Sequence, residues 1–220
     1  DVRYAARMPE TKMATLVKGL VDQTARALQH GSYDHRVVLA DGKREIWRIV
    51  DEHRVFDGFT RILDFYHAAQ HLSMAAEYLF GKASAKADRW YRSWRHKLRH
   101  EPGAVASLIR SLRYHRRRLP RRSERYRRAS TELGYFTNNR DKMDYARYHA
   151  TGLIISSGPV EAAAKTIVGH RLKRSGMRWT RQGGQHILNL RVLVQSNRWD
   201  PFWNWYLEQT TPLTTLKKAA

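Results

Sequence analysis

The sequence predicts an α/β fold that is mostly helical by content. Two short apolar runs that each end in an aspartate, Val37-Val38-Leu39 and Ile62-Leu63, read as strands, and no strand pattern occurs between His67 and about His149. With 220 residues, 42% of them hydrophobic, the chain can bury a real core as one domain, or as one domain with a sizeable insertion.

In chain order, Asp1 to Met8 alternates crudely and reads as the tail of a strand, with Val2, Tyr4 and Ala6 on one face. Pro9 opens a helical segment to about His30, where Met13, Leu16, Val17, Leu20, Val21 and Leu28 recur at helical spacing before Gly31. Arg36 to Ala40 forms the first strand and runs into Asp41-Gly42. A helical stretch near Glu45 to Val50 precedes the second strand, which runs into Asp64. Helix-length segments separated by Gly81, Pro102-Gly103, Pro120 and Gly134 then make a helical insertion.

The loop Ser156-Ser157-Gly158-Pro159 opens a helix through about Leu172, and a second helix runs from about Gln182 to Gln195. The aromatic cluster of Trp199, Phe202, Trp203, Trp205 and Tyr206 is expected in the core, and the polar tail from Thr210 is expected to be disordered. This divides the chain into strands with Asp41 and Asp64 (1–67), a basic helical insertion (68–150), a helical part bearing Glu161 (151–209) and a tail (210–220).

Charge narrows the function. Lys and Arg number 41 against 20 Asp and Glu, a formal +21 with a pI near 10.7, so the partner expected is a polyanion: nucleic acid first, an anionic membrane second. No apolar run is long enough to span a bilayer and no signal peptide opens the sequence, so a soluble, intracellular chain without a membrane partner is expected. Residues 89–128 hold fifteen Lys or Arg against Glu101 and Glu124, interleaved with Trp90, Tyr91, Trp94, Tyr114 and Tyr126. A solvated basic face explains this; so does an arm along phosphates that includes Arg116, Arg117 and Arg118. Cysteine is absent, which leaves carboxylate, imidazole and backbone oxygen as metal ligands and favours magnesium or manganese.

Asp41 follows a buried-type strand and precedes glycine, which would place a carboxylate at the carboxyl end of a strand. An Asp-Gly turn explains the pair as well. Glu161 is the single acidic residue between Asp144 and Asp200, a stretch with nine Lys or Arg. With Gly158 as the cap and Pro159 first in the helix, Glu161 stands third, where glutamate bonds back to free amides. A metal ligand beside bound DNA is the other reading. Asp64, His67 and His71 fall on one helix face at a spacing that could ligate zinc, or that could form a hydrogen-bonded cluster.

Taken together, Val38-Leu39-Ala40-Asp41-Gly42, Ile46-Trp47, Ile62-Leu63-Asp64-Phe65-Tyr66-His67-Ala68 with His71-Leu72, Ser156-Ser157-Gly158-Pro159-Val160-Glu161 through Lys165, and Arg171-Leu172-Lys173-Arg174-Ser175-Gly176-Met177-Arg178-Trp179 resemble bacterial insertion-sequence transposases of the DDE type. The Asp-x-x-His element is similar to that of the Mutator-like members. The resemblance implies an RNase H-like core, incomplete here, interrupted by a large all-α insertion between the second catalytic aspartate and the glutamate.

The resemblance casts Asp41 as that second aspartate, Glu161 as the glutamate, both as ligands of Mg2+ or Mn2+, and Asp64 with His67 as an auxiliary pair. A register with Asp64 as the second aspartate stays open. It further implies cutting of transposon-end DNA and joining to target DNA, DNA contacts by Arg171, Lys173, Arg174 and Arg178, a homo-oligomer when complete, and a bacterial, nucleoid-associated cytoplasmic location. The family's first aspartate lies upstream of the segment that Arg3-Tyr4-Ala5-Ala6-Arg7 resembles, so the chain is expected to be the carboxyl-terminal portion of a transposase. A DNA-binding remnant without catalysis and a basic RNA-binding structural protein are the alternatives.

Overall fold

The computed structural model describes residues 3–10 and 13–210. They divide into two compact units: one is Ser32–Ser157, and the other is built from described residues up to Gly31 and from Gly158 onward.

The first unit is mostly helical around a two-stranded parallel sheet. Strand β1 (Val37–Ala40) pairs with β2 (Thr60–Leu63) in the register Val37↔Thr60 to Ala40↔Leu63, and α2 (Arg44–Glu52) lies in the connection. Five helices follow: α3 (Phe65–Phe80), α4 (Ala85–His100), α5 (Ala104–Arg116), α6 (Glu124–Asn138) and α7 (Tyr145–Ala150). Their starts are encoded locally. Asp64, Ser84 and Ser123 cap α3, α4 and α6, each side chain accepting amide hydrogens from the first turn and so satisfying donors the helix cannot.

Helix α3 buries Ala68, Ala69, Leu72, Ala75, Ala76 and Leu79, and its alanines let α4 and α6 approach closely. The inserted helices share one core with the sheet: Leu108, Leu112, Phe136, Tyr145 and Tyr148 pack in the same cluster as Ile62 and Leu63. Truncating a residue as enclosed as Leu72 costs about 2–5 kcal/mol. Gly134, expected to separate helices, lies inside α6 instead. Arg125, one of the basic run, donates to the carbonyls of Tyr78 and Leu79 at the end of α3, both at 2.9 Å, where a cation is favoured by the helix dipole.

In the second unit, residues 3–10 are extended but belong to no sheet. Tyr4, Ala6 and Met8 pack against Ala163, Ile167 and Leu188 while Arg3, Ala5 and Arg7 are exposed. The face expected from alternation is therefore present for Tyr4 and Ala6, whereas Val2 lies outside the described residues. Side chains of α10 (Arg181–Gln195) and Ser196 replace a neighbouring strand: the Met8 amide donates to Gln185 Oε1 (2.8 Å), Gln185 Nε2 donates to the Ala6 carbonyl (3.3 Å), and the Tyr4 amide donates to Ser196 Oγ (3.1 Å).

Helix α1 (Ala14–His30) begins later than Pro9: Met13 stands at its cap position, and the Glu10 carboxylate meets an amide of its first turn. Glu10 accepts from the Leu16 amide (2.9 Å) and the Thr15 hydroxyl (2.6 Å), and these bonds, the Thr15 one first, hold its carboxyl below the usual range.

The helix after Ser157 comprises α8 (Gly158–Ala164), a π-helical turn (Lys165–Gly169) and α9 (His170–Leu172). Helix α11 (Trp199–Thr210) corrects the expectation of a buried aromatic cluster: Trp199, Trp203, Trp205 and Tyr206 are exposed and stack on one another, Trp199 on Trp203 and Trp203 on Tyr206. The expected disordered tail, beyond Thr210, lies outside the described residues. No described helix is long and apolar enough to cross a membrane.

Candidate functional site

The parallel register sets Asp41 and Asp64 side by side at the carboxyl ends of β1 and β2, and the Asp64 amide donates to the Ala40 carbonyl at 2.8 Å. Their carboxylates do different things. Asp64 is fully buried. Its Oδ1 accepts from the amides of Tyr66 (2.7 Å) and His67 (3.0 Å), and its Oδ2 accepts from the Ser157 amide.

Burial alone would raise the Asp64 pKa, but the Ser157 hydroxyl and the amides of His67, Ser157 and Tyr66 outweigh it and hold the carboxyl below its ordinary value. An anion so occupied has little left to offer a metal. Asp64 and His71 turn to different partners: His71 Nδ1 meets Glu132 Oε2 at 2.7 Å, and among the described residues no three His, Asp or Glu side chains group as a metal site.

Asp41 is the more accessible of the pair. Its Oδ1 accepts from the Lys43 amide (3.0 Å), the turn role weighed for Asp-Gly, and its Oδ2 faces the Lys43 ammonium at 3.6 Å with the side chain 22% exposed. The Trp47 indole donates to the Asp41 carbonyl at 2.9 Å and so fixes the turn on α2. Hard oxygen ligands of this kind suit magnesium or manganese, but both Asp41 oxygens already face Lys43.

Two features were invisible in the sequence. The first is Tyr135 of α6, whose ring packs on the Asp41-Gly42 turn: a Cβ placed on Gly42 would lie 2.5 Å from Tyr135 Cε2. Only glycine fits there. The ring stacks on His71 with centroids 3.5 Å apart and planes 18° apart. Burial, then the negative charges of Asp41, Asp64 and Glu132, push its hydroxyl pKa well up. The second is a cleft of about 730 Å3 whose lining includes Gly42, Arg44, Arg48, Asp51, Tyr135 and Lys142. A glycine after the aspartate, and Glu132 with Tyr135 three apart on one helix face, were the available signals.

Glu161 lies in the other unit, exposed in the first turn of α8. Arg171, Lys173, Arg174 and Arg178 are exposed in that unit as well. In the first unit Arg117 and Arg118 are exposed, the latter over the Tyr114 ring at 3.7 Å, whereas Arg116 is half-buried, donating to Ser130 Oγ and lying over Tyr126. Trp90, Tyr91 and Trp94 are half-buried and pack against the main core.

Compared with protein-family models, with curated proteins and with solved structures, the chain matches none.

Proposed function

We propose that the chain belongs to a DNA transposase of the DDE type, with Asp41 and Glu161 as two of its metal-binding carboxylates and an RNase H-like arrangement around the β1–β2 pair. The observation that carries this reading is the contrast between the neighbouring aspartates. Asp64 is consumed as a structural anchor, while Asp41 keeps an accessible carboxylate at the carboxyl end of a strand, in a chain of formal charge +21.

In this reading Asp41 and Glu161 hold Mg2+ or Mn2+. The ion, when bound, supplies Lewis acidity that activates a water or a 3′-hydroxyl and steadies the leaving oxygen of a phosphodiester. Asp64 secures the β2 end to Ser157. Arg171, Lys173, Arg174, Arg178, Arg117 and Arg118 contribute phosphate contacts that hold DNA.

The test is metal-dependent nicking of transposon-end DNA by a protein that contains the chain. Cleavage is expected with Mn2+ or Mg2+ and is lost in Asp41→Asn and in Glu161→Gln. Cleavage that survives either substitution overturns the assignment. A second reading, DNA binding without catalysis, is favoured by one observation: both Asp41 oxygens face Lys43. It predicts binding in gel shift with no cleavage under any metal.

A further inference from the structure

The hydroxyl of Tyr135 is enclosed in the protein and has no hydrogen-bond partner. A buried hydroxyl left unpaired is costly, so its surroundings bear on its role. A Cβ on Gly42 would stand 3.2 Å from that hydroxyl oxygen, which puts it against the Asp41-Gly42 turn.

The ring has neighbours on two sides. One face stacks on His71, which Glu132 holds at 2.7 Å, and its edge meets Gly42, so the line Glu132, His71, Tyr135 delivers a donor from the inserted helix α6 to the strand end. Three carboxylates act on the hydroxyl, Asp41, Asp64 and Glu132. Asp64 is spent on the amides of Tyr66, His67 and Ser157, and Glu132 is engaged by His71. Asp41 has only the Lys43 amide on one oxygen and a 3.6 Å approach of the Lys43 ammonium on the other.

We infer that Tyr135 is a positioning residue for Asp41: its hydroxyl donates to the Asp41 carboxylate when that group turns away from Lys43, and so fixes the rotamer offered to a divalent ion. The purpose, though not the contact, rests on the reading of Asp41 as a metal ligand. The insertion thereby supplies part of the strand-end site rather than only a surface for DNA.

A double-mutant cycle on the full chain tests the contact. Tyr135→Phe keeps the ring and removes the oxygen, and Asp41→Asn keeps the shape and removes the charge. Urea unfolding of the wild type, both single variants and the double variant should show coupling on the order of tenfold in the unfolding constant, with the double variant losing less than the sum of the singles. Additive effects overturn the inference. As an independent readout, Mn2+ binding followed by electron paramagnetic resonance should weaken several-fold in Tyr135→Phe, and unchanged affinity there counts against the positioning role. If the cycle shows the coupling but the wild type takes up no Mn2+, the contact is upheld and it is the metal reading of Asp41 that fails.

Discussion

Asp64 and Ser157, 93 residues apart, are joined through both the amide and the hydroxyl of the serine, which donate to the buried Asp64 carboxylate. The same carboxylate caps α3, and the adjacent Phe65 amide donates to the Ile155 carbonyl at 2.9 Å. One side chain thus ties together the end of β2, the start of α3 and the chain segment that leads into α8.

Replacing Asp64 by alanine removes the cap and leaves buried amides unsatisfied, a loss of about 1–3 kcal/mol for the unpaired groups alone. The effect depends on pH. Because the folded-state pKa of Asp64 lies below its unfolded value, its contribution is present above the ordinary carboxylate range and is lost as pH falls through the lowered folded value. Urea midpoints of wild type and Asp64→Ala should therefore be well separated at pH 7 and converge under acid.

Gly42→Ala should destabilise the chain by about 1–3 kcal/mol, since the new methyl meets Tyr135 Cε2 and the stacked His71 blocks retreat of the ring. Adding Tyr135→Ala should relieve the clash, so thermal unfolding of the pair should show Gly42→Ala costing little in that background. Tyr135→Phe should give no such relief.

Much of this architecture is written locally. Apolar runs that stop at Asp41 and Asp64 mark the strands, and Gly81, Pro102-Gly103 and Pro120 mark breaks between helices, because backbone geometry and hydrogen-bonding capacity act over a few residues. What depends on distant partners was not legible. Asp64 reads as a zinc ligand or as part of a hydrogen-bonded cluster until Ser157 comes to it, Arg125 reads as one more charge of the basic run until the end of α3 meets it, and Tyr135 has no evident role until α6 packs beside Gly42. The aromatics of α11 mislead for another reason: at about 100° per residue they fall within one half of the helix surface, the pattern of a core face, yet most of them are exposed in the structure.

Exposure makes that helix tolerant. Trp205→Ser should change stability by less than about 0.5 kcal/mol in denaturant unfolding, in contrast to a core change such as Leu72→Ala.

DNA affinity should fall steeply with salt, by roughly a thousandfold between 50 and 200 mM if six or more phosphates are neutralised. Changing Arg171, Lys173, Arg174 and Arg178 together to glutamine should flatten the slope of log affinity against log salt by about one for each phosphate no longer neutralised. Changing Arg125 should instead lower stability and leave the slope alone, because it is committed to the end of α3.

Whether Asp41 is a ligand of a divalent ion, on which the whole catalytic reading turns, is tested most directly by loading the chain with Fe2+ and mapping where hydroxyl radicals cut the backbone. Scission is expected next to Asp41, suppressed by excess Mg2+ and abolished in Asp41→Asn. Scission confined to other positions, or unchanged in Asp41→Asn, would contradict it.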